Sequence, residues 1–104
     1  MFGWLRGRQA IMTEAWAQRV FSPAAQVVIA RQDGRSVLLD LKHQRYWGLD
    51  ETGTRIWEMV SARIPFGQIV DCLEVEYGAS RDRLEEDARE FLNTLLATRL
   101  AVMS

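Results

Sequence analysis

The hydrophobic pattern of this chain changes its period at Asp50, and that change limits the folds available to it. Before Asp50, apolar residues form short alternating runs that are typical of strands, in Gln26–Arg31, Ser36–Leu41 and Arg45–Leu49. After Asp50, apolar residues recur every three or four positions, as on one face of a helix. The sequence therefore predicts an α+β fold in which a three-stranded antiparallel sheet is followed by three helices.

Turn residues indicate how the three strands connect. Asp33-Gly34 is a tight-turn signal between the first two runs, and Lys42-His43-Gln44 is a polar break before the third. Connections this short reverse the chain direction, so we expect an antiparallel meander with Arg45–Leu49 as an edge strand.

Capping residues indicate the ends of the helices. Asp50 and Ser80 can cap the first and third helices, Pro65 suits the start of the second, and Gly78 suits its end. Leu100 to Met103 form a short apolar tail, which we expect to pack across the sheet or the last helix. The predicted inner faces contain Ile56, Trp57, Met59 and Val60, then Ile69, Val70, Leu73 and Tyr77, then Leu84, Ala88, Phe91, Leu92, Leu95 and Leu96.

Length and composition limit the class of protein. The chain has 104 residues and a net charge of -1, and this length indicates one domain. Its single cysteine, Cys72, excludes an internal disulfide and a thiolate metal cage. No segment is long and apolar enough to cross a membrane or to act as a secretory signal, so we expect a cytoplasmic protein. We divide the chain into an arm, 1–19, and a domain, 20–104. The arm, with Phe2, Trp4 and Trp16, either folds back onto the domain or stays frayed, or else it forms a helix that docks on a partner or touches a membrane.

Candidate catalytic groups are few. His43 is interpreted as a solvated turn residue and Cys72 as a small apolar filler. Acidic residues alternate with arginines on the third predicted helix, a pattern typical of a solvated, salt-bridged face. We therefore predict a protein that is not an enzyme and that needs no metal or other cofactor. The acidic residues are Glu85, Glu86, Asp87 and Glu90.

A sheet with three helices is also compatible with a winged-helix protein that binds DNA. Residues 1–48 carry 7 basic and 3 acidic side chains, whereas residues 49–104 carry 6 basic and 11 acidic ones. The helices that would enter a groove are thus acidic and would repel phosphate. DNA binding remains the main alternative function, although nucleic acid is not the favoured partner.

The third strand, Arg45 to Leu49, has the composition of a binding edge. An edge strand presents a row of unpaired main-chain groups, and Gly48 allows another backbone to approach closely. Tyr46 and Trp47 could flank a guest strand, or could simply fill the two faces of the sheet. This pattern favours peptide binding by strand addition. A third possibility is pairing with a second copy of the chain, as a homodimer or a domain swap.

An ordered set of motifs over about Val27 to Val102 resembles the PqqD family of peptide chaperones, also called RiPP recognition elements. One part departs from the family pattern: the second helix begins at Ile64-Pro65-Phe66-Gly67, without the Ser or Thr cap that is usual there. The matching parts are Tyr46-Trp47-Gly48-Leu49-Asp50, Gly53 with Ile56-Trp57, Ile69 with Leu73 and Tyr77-Gly78, and Asp87 with Phe91-Leu92 and Leu95 before Leu100.

The resemblance implies a winged helix-turn-helix-like domain that binds the leader of a ribosomally made precursor peptide as an added strand. The leader would lie between the third strand and the third helix, and the domain would deliver the precursor to its modifying enzyme. That enzyme is a leader peptidase in lasso-peptide systems and a radical-SAM maturase in others. The Tyr-Trp-Gly-Leu and Ile-Trp motifs resemble the lasso-type members more than the pyrroloquinoline-quinone ones. The predicted leader-binding residues are Arg45, Tyr46, Trp47, Gly48 and Leu49 on the strand and Leu84, Asp87, Ala88, Phe91 and Leu92 on the helix.

Overall fold

The three strands of the main sheet come before the three long helices, as the change of period at Asp50 predicts. A computed structural model describes residues 14–104. The predicted α+β class, with a three-stranded antiparallel sheet followed by three helices, is confirmed. The elements are α1 (Glu14–Gln18), β1 (Phe21–Pro23), β2 (Val27–Gln32), β3 (Arg35–Asp40), β4 (Arg45–Leu49), α2 (Glu51–Ser61), α3 (Phe66–Tyr77), α4 (Arg81–Ala97) and β5 (Ala101–Met103).

The main sheet has the strand order β2-β3-β4, and both pairs of neighbours are antiparallel. Asp33 and Gly34 connect β2 to β3 with φ of 54° and 79°. Two consecutive residues with positive φ match the two-residue hairpin turn whose twist fits that of the strands. This turn pairs Gln32 with Arg35 and so sets the register of the β2–β3 hairpin.

The helix ends follow the predicted caps with one exception. The Asp50 carboxylate accepts a hydrogen bond from the Gly53 amide at 2.8 Å, and Gly78 ends α3 with φ of 64°. Pro65 occupies the N-cap of α3, where it makes no side-chain cap bond. The prediction that the Ser80 side chain caps α4 is wrong, because Ser80 is in the capping position but its hydroxyl makes no capping bond.

A second, two-stranded sheet joins the two ends of the domain. β1 pairs antiparallel with β5, and the Ser104 amide extends the pairing with a hydrogen bond of 2.8 Å to the Val20 carbonyl. The expected tail, Leu100 to Met103, does contact the last helix, but the sequence did not predict that Ala101–Met103 is a strand. Its partner lies about eighty residues earlier in the chain, beyond the reach of any local sequence signal.

The core lies between the inner face of the main sheet and the three long helices. Leu38 supplies the centre of the sheet, and Phe21 brings the small sheet into the same cluster. The buried Ser36 and Thr54 hydroxyls lie 2.7 Å apart and join β3 to α2. The fully buried apolar side chains include Phe21, Leu38, Val60, Phe66, Ile69, Val70, Ala88 and Leu92.

The end of the predicted arm packs on the domain through α1. The Trp16 ring lies against Phe66, at 5.0 Å between ring centroids, and below the Arg89 guanidinium, at 4.9 Å. Arg89 donates a hydrogen bond to Glu85, and burial raises the pKa of Glu85. The interpretation of Glu85 as part of a solvated face is therefore wrong. Phe2 and Trp4 lie outside the described residues.

Candidate functional site

The hydrogen-bond phase of the β2–β3 hairpin decides which main-chain groups of β4 are available. In a two-residue hairpin the residues that flank the turn form a hydrogen-bonded pair, here Gln32 and Arg35. The Leu41 amide donates to the Gln26 carbonyl at 3.1 Å, which agrees because Gln26 and Leu41 each lie an even number of residues from that pair. Because hydrogen-bonded and non-bonded pairs alternate along an antiparallel ladder, the even-numbered residues of β3 direct their main-chain groups toward β4.

β4 therefore has an open outer edge at two residues. Arg45, Trp47 and Leu49 pair with the even-numbered residues of β3 and use their main-chain groups within the sheet. The N–H and C=O groups of Tyr46 and Gly48 point away from β3. β4 is the last strand of its sheet, and no strand within residues 14–104 pairs with its outer edge. This edge can accept a guest strand.

The side chains of β4 alternate between the two faces of the sheet. Trp47 and Leu49 are half-buried toward the helices, whereas Tyr46 is 76% exposed on the opposite face. The Trp47 indole nitrogen is buried and has no hydrogen-bond partner in the described structure. A Cβ atom added at Gly48 would meet no atom within 4 Å, so a side chain there would not collide with the domain.

An apolar cleft lies beside the end of β4. It has a volume of about 690 Å³, and α4 forms the wall that faces the strand. Such a mainly apolar cavity with a few polar groups at its rim is typical of a site for apolar side chains. The lining residues are Gly48, Leu49, Asp50, Thr52, Gly53, Ile56, Leu73, Tyr77, Ala79, Leu84, Asp87, Ala88 and Phe91.

Six of the ten residues predicted for peptide binding line this cleft, and four do not. The four are Arg45, Tyr46, Trp47 and Leu92. Leu92 is 0% exposed, because it lies about 100° around the helix from Phe91 and points into the core. Tyr46 is on the outer face of the sheet, away from the cleft. The six that line it are Gly48, Leu49, Leu84, Asp87, Ala88 and Phe91.

Gly53, which the sequence singled out only as part of the family resemblance, lies on the wall of the cleft. A Cβ atom at this position would lie 3.6 Å from Phe91, 3.5 Å from Leu49 and 3.3 Å from the capping Asp50 carboxylate. The contacts with Phe91 and Leu49 are ordinary van der Waals distances and only the one with Asp50 is tight, so Gly53 marks the place where α2, β4 and α4 meet. Ile56, Leu73 and Tyr77 also reach the cleft, although their helical spacing predicted only core positions.

A second cavity, of about 640 Å³, lies on the other side of Gly48 at the hairpin end of the sheet. It shares Gly48, Leu49 and Asp50 with the apolar cleft, but Arg31 and Arg35 border its far side. The strand end therefore separates an apolar cavity from a polar one.

A buried carboxylate holds the opposite end of β4 in place. Asp40 accepts hydrogen bonds from the Lys42 and His43 amides at 3.1 Å, and lies 2.8 Å from His43 Nδ1 and 3.2 Å from Arg45. Burial alone would raise the pKa of Asp40, but the His43 and Arg45 interactions outweigh it and lower this pKa to about 2. Arg45 also donates to the Thr98 carbonyl at 3.1 Å. His43 is thus paired with Asp40, which corrects its interpretation as a merely solvated residue.

The arginines of α4 are all engaged with carboxylates of the protein. A helix that reads DNA needs basic side chains free for phosphate or bases, and these arginines are paired within or next to their own helix. This pairing opposes the DNA-binding alternative. The pairs are Arg81–Asp71 at 2.7 Å, Arg83–Asp87 at 3.6 Å and Arg89–Glu85 at 3.0 Å.

Residues 14–104 contain neither a cluster of metal-ligating side chains nor a membrane-spanning helix. No group of three or more His, Cys, Asp or Glu side chains there could hold a metal ion. None of the helices in the same range is long and apolar enough to cross a membrane.

Two solved structures are similar to this chain in fold. A structure described as TbiB1 in complex with the TbiA(beta) leader peptide is similar, with a TM-score of 0.74, 36% identity, and coverage of 77% of this chain and 93% of that one. A lasso peptide synthetase B1 complexed with the leader peptide is similar in fold, with a TM-score of 0.73, 24% identity, and coverage of 79% and 96%. No curated protein matches the chain.

The family comparison covers both walls of the cleft. The model for coenzyme PQQ synthesis protein D (PqqD) matches residues 35–101, which run from the start of β3 to the start of β5. This match includes β4, α2, α3 and α4, and it extends over more than half of the sequence. The resemblance suggested by the motifs is confirmed, and the chain belongs to the PqqD family.

Proposed function

We propose that this protein is a non-catalytic binder of the leader segment of a ribosomally made precursor peptide. The observation that carries the proposal is the open edge of β4 beside an apolar cleft. TbiB1, which is 36% identical, is described in complex with a leader peptide, and this likeness supports the same class of ligand here.

Binding by strand addition uses two features of the site at once. The guest main chain pairs with the outward N–H and C=O groups of Tyr46 and Gly48. Guest side chains on the inner face repeat every second residue, about 6.6 Å apart, so one of them can enter the cleft between Leu49 and Phe91. Burying one leucine-sized side chain contributes about 1.5–3 kcal/mol. The main-chain pairing supplies affinity, and the cleft selects which peptide binds.

The proposed role of the bound complex is delivery. A bound leader holds the rest of its precursor near the modifying enzyme and raises the effective concentration of substrate there. We propose a leader peptidase of a lasso-peptide system as that enzyme, in preference to a radical-SAM maturase. The reason is that the motif Tyr46-Trp47-Gly48-Leu49 resembles the lasso-type members of the family more than the pyrroloquinoline-quinone ones. We place the protein in the cytoplasm, where precursors are translated.

Replacing Gly48 by proline tests the strand-addition proposal. Gly48→Pro removes an outward N–H without removing a bond between β3 and β4. Gly48→Ala is the matched control, because it keeps the N–H and adds a Cβ atom into open space. Ligands come from an mRNA-display library of random peptides of about 12 residues, longer than the edge they must pair with. Fluorescence polarisation then measures the affinity of the selected peptides.

We expect Gly48→Pro to weaken binding of the selected peptides about tenfold and Gly48→Ala to leave it nearly unchanged. Circular dichroism should show the same helix content in both variants. Equal affinities for the two variants, or a library from which no peptide is enriched, would contradict the proposal.

A further inference from the structure

The groove between β4 and α4 has a different charge at each of its two ends. Asp50 and Asp87 line the apolar cleft at one end. At the other end lies a cavity of about 410 Å³ that is lined by His43, Arg45 and Arg99, with Ala97 and Thr98. Carboxylates border one end of the groove, and basic side chains border the other.

The two cavities lie along one path because α4 runs opposite to β4. Near the end of β4, Phe91 of α4 lies close to Gly53, since a Cβ atom added at Gly53 would be 3.6 Å from the Phe91 ring. Near its start, Arg45 donates to the Thr98 carbonyl at 3.1 Å. Arg45 and Leu49 are four residues apart on the same face, which separates them by about 13 Å along the strand.

The basic end retains positive charge after its internal pairing. Asp40 is the carboxylate that neutralises this region, and His43 and Arg45 contact it. Lys42 and Arg99 form no ion pair with any of the described residues, and both are exposed. An anion that enters this cavity therefore meets an unpaired guanidinium next to Arg45.

We propose that the basic end of the groove binds a carboxylate side chain, Asp or Glu, of the guest peptide. The proposal rests on the proposed function, because the peptide reaches this cavity only as a strand on β4. The carboxylate lies four residues from the apolar side chain that fills the cleft, since inner-face positions differ by an even number. At the other end, Arg83 pairs with Asp87 at 3.6 Å, whereas Asp50 forms no ion pair with a described residue and repels a guest carboxylate. The charges of the two cavities therefore favour one direction of the guest.

Arg99→Gln tests this proposal, and Arg63→Gln is a closely matched control. Both arginines are exposed, both follow the end of a helix with positive φ (63° and 59°), and neither forms an ion pair within the described range. The two variants change the net charge equally, but only Arg99 lines the basic cavity. The probes are peptides selected from the random library with the full chain, and copies with each Asp or Glu changed to its amide.

We expect the selected peptides to carry an acidic residue four positions from an apolar one. Arg99→Gln should weaken their binding about three- to fivefold, as for a partly exposed ion pair, and Arg63→Gln should not. The loss should disappear with the amide peptides, because the interaction is already absent.

Peptides selected without this spacing, or equal effects of Arg99→Gln and Arg63→Gln, would overturn the carboxylate proposal. The strand-addition proposal would survive that result as long as Gly48→Pro still weakens binding. A library that yields no Gly48-dependent peptide would overturn both.

Discussion

The two edges of the main sheet present different surfaces, although both have unpaired main-chain groups. At the β2 edge, Val27 uses its amide for a hydrogen bond of 3.1 Å to Ala24, and Arg31 lies 3.3 Å from Glu58 in an ion pair. At the β4 edge, Gly48 borders an apolar cleft. Our proposal places the peptide at the β4 edge and not at the β2 edge, and so implies that an open edge alone does not make a peptide site. The edge also needs an apolar cavity beside it, and here the first residues of α2 and the outer side of α4 supply that cavity.

The largest expected effect tests the cleft. Phe91→Ala should weaken binding of a selected peptide about thirtyfold, because about 2 kcal/mol of apolar contact with the guest is lost. Val75→Ala on α3 is the control, since Val75 is 85% exposed and outside the cleft. Isothermal titration calorimetry would measure both. Similar affinities for the two variants would show that the cleft does not hold the guest.

The next effect compares the two edges directly. Arg31→Pro removes an outward N–H from β2, just as Gly48→Pro does from β4. We expect no change in peptide affinity for Arg31→Pro, against about a tenfold loss for Gly48→Pro. A loss at both edges would mean that proline disturbs the sheet as a whole, and thermal unfolding of each variant would reveal it.

A third prediction concerns the carboxylate that anchors the start of β4. The pKa of Asp40 is about 2 when folded, against 3.8 ordinarily, so the folded carboxyl binds its proton more weakly than the unfolded one. Its contribution to stability is complete above about pH 4 and is lost as the pH falls toward 2. In urea unfolding between pH 6 and pH 2, the free energy of unfolding should fall less on acidification for Asp40→Asn than for Asp33→Asn. Parallel curves would contradict this assignment.

The smallest expected effect is that of salt. Main-chain pairing and apolar contact respond weakly to ionic strength, so peptide affinity should change less than about tenfold between 50 mM and 500 mM NaCl. Binding of duplex DNA would fall much more steeply, because each phosphate contact releases a counterion. A steep fall together with measurable DNA affinity would favour the winged-helix alternative.

The sequence predicted the meander, the edge strand and most of the helix caps because each depends on local signals. The Asp33-Gly34 turn sets the hairpin, and Asp50 caps its helix whatever surrounds it. β1 and β5 were missed because three-residue strands carry little pattern and their pairing is not local. The predicted helix wall included both Phe91 and Leu92, because spacing identifies an apolar stripe but not which side of it faces a groove.

Arg45 has a consequence for how fast and how tightly a guest can associate. Its guanidinium contacts both the buried Asp40 and the Thr98 carbonyl, and so it links the start of β4 to the end of α4 without a ligand. Because β4 and α4 are already in position, the domain needs little rearrangement to bind, and most of the conformational entropy is lost by the incoming peptide. We therefore expect the proposed peptide to bind with little change in the domain, at a rate set by the encounter and not by opening of the domain.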